Sequence, residues 1–532
     1  MRFSATEANE NWPEKIGPSG QASIFTESPA VSVHIRKIAK ESIISVVGTL
    51  CGMLLSYVWM ALGTRWLGPK DFGIFVLSQS ICGIAVVLAT LGMPKALDRY
   101  LPQFIAQRQF GEAKSLIRNL GLLALLSGSL TAGLIYVIAS QWGSYPLSSA
   151  LRVMTVSVPF AVVIEIFVYT FSGLKELRYD VWVKRITIPL ASVVLGGAII
   201  LLRFKLTGWI WAFNISTALG LILAFAFFRS KVWPWLKAVP AGKIHLKAVL
   251  LYSFPLSLSG LLAFVLAQLE IIFLGRFSAM ENVAVYRLYA SLLALCYMVH
   301  TSIGRIYKPV FSGIVETPGI RMISQSRQEI YRRIARWSVE INSVALICLI
   351  LFGNDVVALL FGSRYVTDPV AFRLLILAAF IGFATGPGPE TLEAMGHSGI
   401  ILLAYTVMVA VDASLCALLI PRFHLVGAAI ANFSALTLAN FFTALWLWWR
   451  YGLQPIDAKY TKVVLLSFAV VVGVYLSRIS LISHGLALKV FAVFGAYAFG
   501  VWILKIYDRE DVSLVQVVLA KLGVRRDLSP PS

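Results

Sequence analysis

The chain has 532 residues, of which 58% are hydrophobic and 14% charged, and its mean hydropathy is +0.80. A soluble domain carries about 25% charged residues, so this composition excludes a soluble globular protein and requires a polytopic membrane protein. The formal net charge of +20 does not point to nucleic acid, because the basic residues gather in loops that fall on one side of the bilayer.

Residues 1–40 are polar and contain Pro, Ser and Gly, with no basic stretch leading into an early apolar run. They predict a disordered cytoplasmic tail and not a cleaved signal. About fourteen apolar runs follow, each near the length that crosses a ~30 Å hydrocarbon core. They cover 42–62, 72–94, 119–139, 152–173, 185–202, 208–228, 249–274, 283–304, 337–361, 370–395, 399–420, 425–447, 460–477 and 486–505. Lipid offers the backbone no hydrogen-bond partners, so every run is predicted to be helical and the fold all-α. The first six runs define an N-terminal six-helix bundle over 41–228. Residues 229–247, "RSKVWPWLKAVPAGKIHLK", hold Pro234, Pro240, Gly242, Trp233 and Trp235 and predict a cytoplasmic interfacial linker. A second six-helix bundle spans 248–450. A polar break at "YGLQPIDAKY" precedes a helix pair over 451–506 and a cytoplasmic tail over 507–532. The basic segments "RQFGEAKSLIR", "KELRYDVWVKR" and "RQEIYRRIARW" lie on one side of this alternation, which places both termini in the cytoplasm.

The two bundles echo one another. "WMALGTRWLGPKDFGIFVLSQSI" is similar to "EIIFLGRFSAMENVAVYRLYASL", and "YLPQF" (100–104) matches "YKPVF" (307–311). Six crossings return the chain to its starting side, so the repeats are parallel, and such repeats put a transport path between the halves near the midplane.

The stretch "RWLGPKDFGIFVLSQSICGIAVVLATLGMPKALDRYLPQF" resembles the start of polysaccharide-unit flippases, of the O-antigen and exopolysaccharide type. These belong to the oligosaccharidyl-lipid branch of the multidrug/oligosaccharidyl-lipid/polysaccharide exporter superfamily. The LGP-xx-(F/Y)G turn after the first span and Arg99 closing the second carry the resemblance. "LFGNDVVALLFGSRYV" and "LLILAAFIGFATGPGPETLEAMG" carry it in the second half, and it extends over roughly residues 40 to 450. Glu270 stands where the family often has Asp at the end of the seventh span. The resemblance implies a polyprenyl-pyrophosphate-linked oligosaccharide as substrate and the bacterial cytoplasmic (inner) membrane as location. It also implies association with polysaccharide polymerase and export proteins.

No G-x-x-x-x-G-K-[ST] or H-E-x-x-H motif occurs, and neither a cofactor nor a metal is expected. The five cysteines fall within spans without ligand spacing and are expected to be packing residues. Charges inside spans are costly and so become candidates for ion coupling by H⁺ or Na⁺: Glu165, Glu270, Glu390, Glu393 and Asp412. Glu270 and Arg287 lie near the same outer end of neighbouring spans and form either a structural ion pair or part of a transport site. Pro387 and Pro389 each remove a helix donor, predicting a hinge that faces protein or water. Glu390 and Glu393 are three apart and share a helix face, either as a cation or proton site or as acids reaching the interface. Arg99, Arg287, Arg305 and Lys308 are candidates for a pyrophosphate, which Arg matches with its planar fork. Ordinary positive-inside anchoring also accounts for Arg99, Arg305 and Lys308. The expected function is flipping by alternating access. A cation-coupled multidrug exporter of the same fold, a membrane polysaccharide polymerase or ligase, and a non-transporting scaffold are the alternatives.

Overall fold

A computed structural model describes residues 29–90, 92–141, 146–176, 178–313, 321–477 and 485–506. The side chains of 29–46, 321–326 and several single positions, Arg305 among them, fall outside that description. So do the segments 1–28 and 507–532, with the tail expectations attached to them.

The described residues form helices and no strand. In chain order they are α1 (Pro29–Ala89), α2 (Met93–Ala106), α3 (Phe110–Gln141), α4 (Pro146–Met154), α5 (Ser157–Gly173), α6 (Arg178–Leu201) and α7 (Leu206–Lys237). The second half contains α8 (Leu246–Phe277), α9 (Met280–Ser312), α10 (Arg321–Phe361), α11 (Pro369–Ala384), α12 (Gly388–Ala394) and α13 (Ser398–Tyr451). The chain continues with α14 (Ala458–Leu476) and α15 (Leu486–Ile503). Among the described residues, 12 helical stretches are long and apolar enough to cross a membrane. Two of these are double. The backbone of α1 turns at Gly68 (φ 80°), where a side chain would be strained and Pro69 removes a donor, and α13 turns at His424. Twelve plus two gives fourteen crossings, at the positions the apolar runs predict.

Local chemistry sets several boundaries. Asp368 caps α11 by accepting from the Val370 and Ala371 amides, and Asp457 caps α14 through the Tyr460 amide at 2.6 Å. Two boundaries differ from the sequence expectation. The α1 backbone is helical from Pro29, inside the segment expected to be tail. Helix α7 runs to Lys237, nine residues into the expected linker. A π-helical stretch at Phe228–Val232 absorbs the extra residues, and Pro234 sits in the first turn after it, where proline's missing donor costs nothing. The remaining connection is held on α3, since Lys114 Nζ donates to the Val239 carbonyl at 2.6 Å and Ser115 Oγ to the Gly242 carbonyl at 2.7 Å.

Helices α3, α5, α6 and α7 pack around α1 and one another, and α8 to α13 form a second packed group. Helices α14 and α15 lie together against α10. The groups meet where α1 packs on α8 and α9. Gly73 allows that approach, because a Cβ there would lie 1.9 Å from the Met280 carbonyl oxygen. Near the same end, Tyr365 Oη donates to the Thr64 carbonyl at 2.9 Å and Arg65 Nη2 to the Leu359 carbonyl at 2.6 Å. At the opposite end the Arg99 guanidinium lies 3.8 Å from the centre of the Tyr252 ring, joining α2 to α8.

Candidate functional site

The buried acids gather in the second half. Glu270 on α8 is 1% exposed and Asp412 on α13 is 0% exposed. Asn432, from the other limb of α13, donates to Glu270 Oε1 at 2.6 Å, and the Tyr286 hydroxyl of α9 also hydrogen-bonds this carboxylate. Cys416 Sγ donates to Asp412 Oδ1 at 3.7 Å, while Asp412 Oδ2 is buried without a hydrogen-bond partner. The two carboxylates are close enough to repel each other. Two unpaired charges in a dry site are costly, and a proton or a monovalent cation between them offsets that cost.

Of the two readings of Glu270 and Arg287, a structural ion pair or parts of a transport site, the ion pair does not form among the described residues. Glu270 lies seven residues before the end of α8 at Phe277 and Arg287 seven after the start of α9 at Met280, so the two are level across the hairpin, but their side chains leave in different directions. Arg287 lines a cavity of about 190 Å³ with Ser56, Trp59, Gln79, Ser192 and Phe213, all from the first half. Tyr57 lies within its electrostatic reach and donates to the Ser291 carbonyl at 2.5 Å. No carboxylate within 4.0 Å pairs with Arg287 among the described residues. A second-half cation therefore faces a first-half cavity without a counter-charge, and can accept an anion there.

The helix containing Pro387 and Pro389 is broken. Helix α11 ends at Ala384, Gly386 takes φ 84°, and α12 starts at Gly388. Tyr331 Oη donates to the freed Thr385 carbonyl at 3.2 Å, and Thr391 Oγ1 to the Pro387 carbonyl at 2.6 Å. The break faces a cavity of about 300 Å³ lined by His300, Pro389, Glu390, Tyr405 and Asn440.

Glu390 and Glu393 do not share one environment there. Glu390 is largely buried, with Oε1 3.9 Å from His300 Nε2, and His300 Nδ1 lies 2.5 Å from Ser338 Oγ. Glu393 is 62% exposed and pairs with Lys308. Both lie on α12, but Glu390, beside Pro389, lines the cavity, whereas Glu393, almost one turn nearer the helix end at Ala394, reaches Lys308 at the surface. Lys308 consequently has an acidic partner. Glu165 is also paired, at 2.7 Å with Lys184. Arg99 is exposed and engaged with Tyr252, and the Arg305 side chain lies outside the described residues.

Sequence reasoning missed Tyr286, Asn432 and His300. Each is a polar residue inside an apolar run, a weaker signal than a charge but of the same kind.

The family model for polysaccharide biosynthesis proteins matches residues 38–315 of this chain. The chain belongs to that polysaccharide biosynthesis protein family. The probable low-salt glycan biosynthesis flippase Agl15 of Haloferax volcanii is 21% identical over 404 residues, covering 74% of this chain and 80% of the relative. The lipid II flippase MurJ, solved in an inward closed conformation, superposes with TM-score 0.66 at 12% identity, covering 87% of this chain and 98% of MurJ. An inward-facing multidrug resistance MATE family transporter of the MOP superfamily gives TM-score 0.61 at 15% identity, with 78% and 98% covered. This member of the polysaccharide biosynthesis family therefore has the fold of MOP-superfamily transporters. At such identities the likeness concerns the fold.

Proposed function

We propose that the chain flips a polyprenyl-pyrophosphate-linked oligosaccharide across the cytoplasmic membrane, by alternating access of its two halves, for surface polysaccharide biosynthesis. The observation that carries this is Arg287, a second-half cation that faces a first-half cavity and has no acidic partner among the described residues. A guanidinium in that setting favours an anionic headgroup over a cationic drug. The contacts Tyr365–Thr64 and Arg65–Leu359 are few and are the kind that break when one half rocks on the other. Their position near the outer turn of α1 supports a state closed to the outside. An apolar groove of about 1370 Å³ between α9, α10 and α15, with Leu295, Ile341, Val344, Phe494 and Trp502 along it, suits the polyprenyl tail. Glu270 and Asp412 are the acids best placed to exchange H⁺ or Na⁺ during the cycle, with Glu390 next.

The name of the Haloferax relative, a probable glycan biosynthesis flippase, supports the same substrate class. The MATE-like fold together with the buried acid pair favours a second function, cation-coupled multidrug export. Gene deletion separates the two. A flippase mutant loses a surface glycan and accumulates its lipid-linked unit, whereas a drug-pump mutant keeps its glycan and becomes drug-sensitive.

A further inference from the structure

A second cationic cavity lies away from Arg287, at the end of the molecule where the basic loops collect. It has a volume of about 660 Å³ and sits between the first turns of α10 and the connection from α13 to α14. Arg332, Arg333, Arg336 and Lys459 line it, against two acids, Glu329 and Asp457. Both acids have local duties. Glu329 pairs with Arg333 at 3.0 Å one turn along α10, and Asp457 caps α14. The lining therefore carries two more positive than negative side chains. Arg332 Nε is buried with no acceptor among the described residues.

The cavity is a built feature. Gly452 ends α13 in the left-handed conformation (φ 69°), turning the chain back toward α10. Gln328 then holds the connection from both sides, donating to the Gln454 carbonyl at 2.6 Å and accepting from the Gln454 amide at 3.1 Å. Lys459 lines the same cavity as the arginines.

Its depth is also marked. Helix α10 has 41 residues, about 60 Å at 1.5 Å per residue, and a ~30 Å hydrocarbon core takes only half of that. The last turns of α13 carry Trp448 at 55% and Trp449 at 78% exposure, beside Tyr451, which itself lines the cavity. Exposed Trp and Tyr at a helix end sit at the headgroup level of a bilayer. The cavity thus opens among lipid headgroups, with a surplus of positive charge and planar guanidinium donors.

We propose that this cavity binds the phosphate headgroup of an anionic phospholipid from the surrounding leaflet. Guanidinium groups pair with the phosphate oxygens, Lys459 adds charge, and the acyl chains remain in the bilayer beside the exposed tryptophans. The site is separate from the Arg287 cavity and does not depend on the transported substrate.

The test uses the full chain in detergent, incubated with phosphatidylglycerol or with phosphatidylcholine of the same acyl chains, and counts retained lipid by native mass spectrometry. Phosphatidylglycerol is expected to be retained in preference, and the preference to fall with salt. Each basic residue near the site is worth roughly fivefold in affinity, so Arg332→Gln with Lys459→Gln is expected to lose about thirtyfold. Arg422→Ala, at the opposite end of the molecule, is expected to lose nothing. Circular dichroism and monodispersity confirm that the double variant is folded. Equal retention of the two lipids, an unchanged double variant, or an equal loss in Arg422→Ala would overturn the proposal. Protection by millimolar inorganic phosphate alone would assign the site to a free anion, and stoichiometric displacement of phosphatidylglycerol by polyprenyl pyrophosphate would assign it to the substrate. Either result also overturns it.

Discussion

Asn432 donates to the Glu270 carboxylate at 2.6 Å, tying the second limb of α13 to α8 across 162 residues of sequence. Together with the Tyr286 hydroxyl it holds the Glu270 carboxylate inside the second half. The outcome is two separate sites, an acid pair inside the second half and, facing the first, a cation with no acidic partner among the described residues.

If the acid pair couples flipping to an ion gradient, neutralising it uncouples transport without unfolding the bundle. Glu270→Gln and Asp412→Asn are expected to be expressed and monodisperse, with flipping in proteoliposomes that no longer responds to an imposed pH or Na⁺ gradient. Asn432→Leu, which leaves a buried carboxylate short of a donor, is expected to cost about 1–3 kcal/mol in thermal unfolding. A wild-type gradient response in both acid variants would rule this pair out as the coupling site.

Arg287 is expected to be the most sensitive cation. A hydrogen bond to a charged group contributes about 1.5–3 kcal/mol, or roughly ten- to a hundredfold in binding. Arg287→Ala should therefore reduce flipping by at least about tenfold, and Arg287→Lys should retain part of it. Surface glycan at the wild-type level from the Ala variant, at equal protein abundance, would remove Arg287 from the substrate path.

The two acids after the helix break are expected to behave differently. Glu393 and Lys308 form an exposed pair, and such pairs contribute about 0–1 kcal/mol, so Glu393→Gln should leave stability and flipping near wild type. Glu390→Gln should alter flipping, because it changes the wall of a cavity shared with His300. Replacing Pro387 and Pro389 together by Ala should slow transport by straightening the hinge. Equal effects of the two Glu→Gln variants in a flipping assay would contradict the separation seen here.

The Gly73–Met280 contact predicts a stability effect with no polar chemistry. Ala at 73 would place a Cβ 1.9 Å from the Met280 carbonyl oxygen, so α1 and α9 must separate. The expected loss is about 1–3 kcal/mol in thermal unfolding. An unchanged melting temperature would show that the halves do not rely on this approach.

Orientation is tested by labelling. In a cysteine-free background, Cys at 363 or 422 should react with an impermeant thiol reagent added outside, and Cys at 457 only after permeabilisation. The reverse pattern would invert every assignment of inside and outside.

The residues alone determined the helical class and the fourteen crossings, because a lipid-exposed backbone has one economical way to satisfy its hydrogen bonds and a bilayer fixes the length. The break at Pro387 and Pro389 was legible for a similarly local reason. The partners of the charged residues were not. Glu270 and Arg287 are neighbours in the hairpin of α8 and α9, yet Glu270 is held by Asn432 of α13 as well as Tyr286 of α9, and Arg287 faces first-half residues far away in sequence. Glu390 and Glu393 have helical spacing, yet their partners, His300 and Lys308 of α9, lie far away in sequence. The π-helical extension of α7 and the Gln328–Gln454 clasp likewise depend on how helices from distant parts of the chain pack. Crossing a membrane is a property of each segment, while the direction of a buried charge is decided by which other helix offers it a donor.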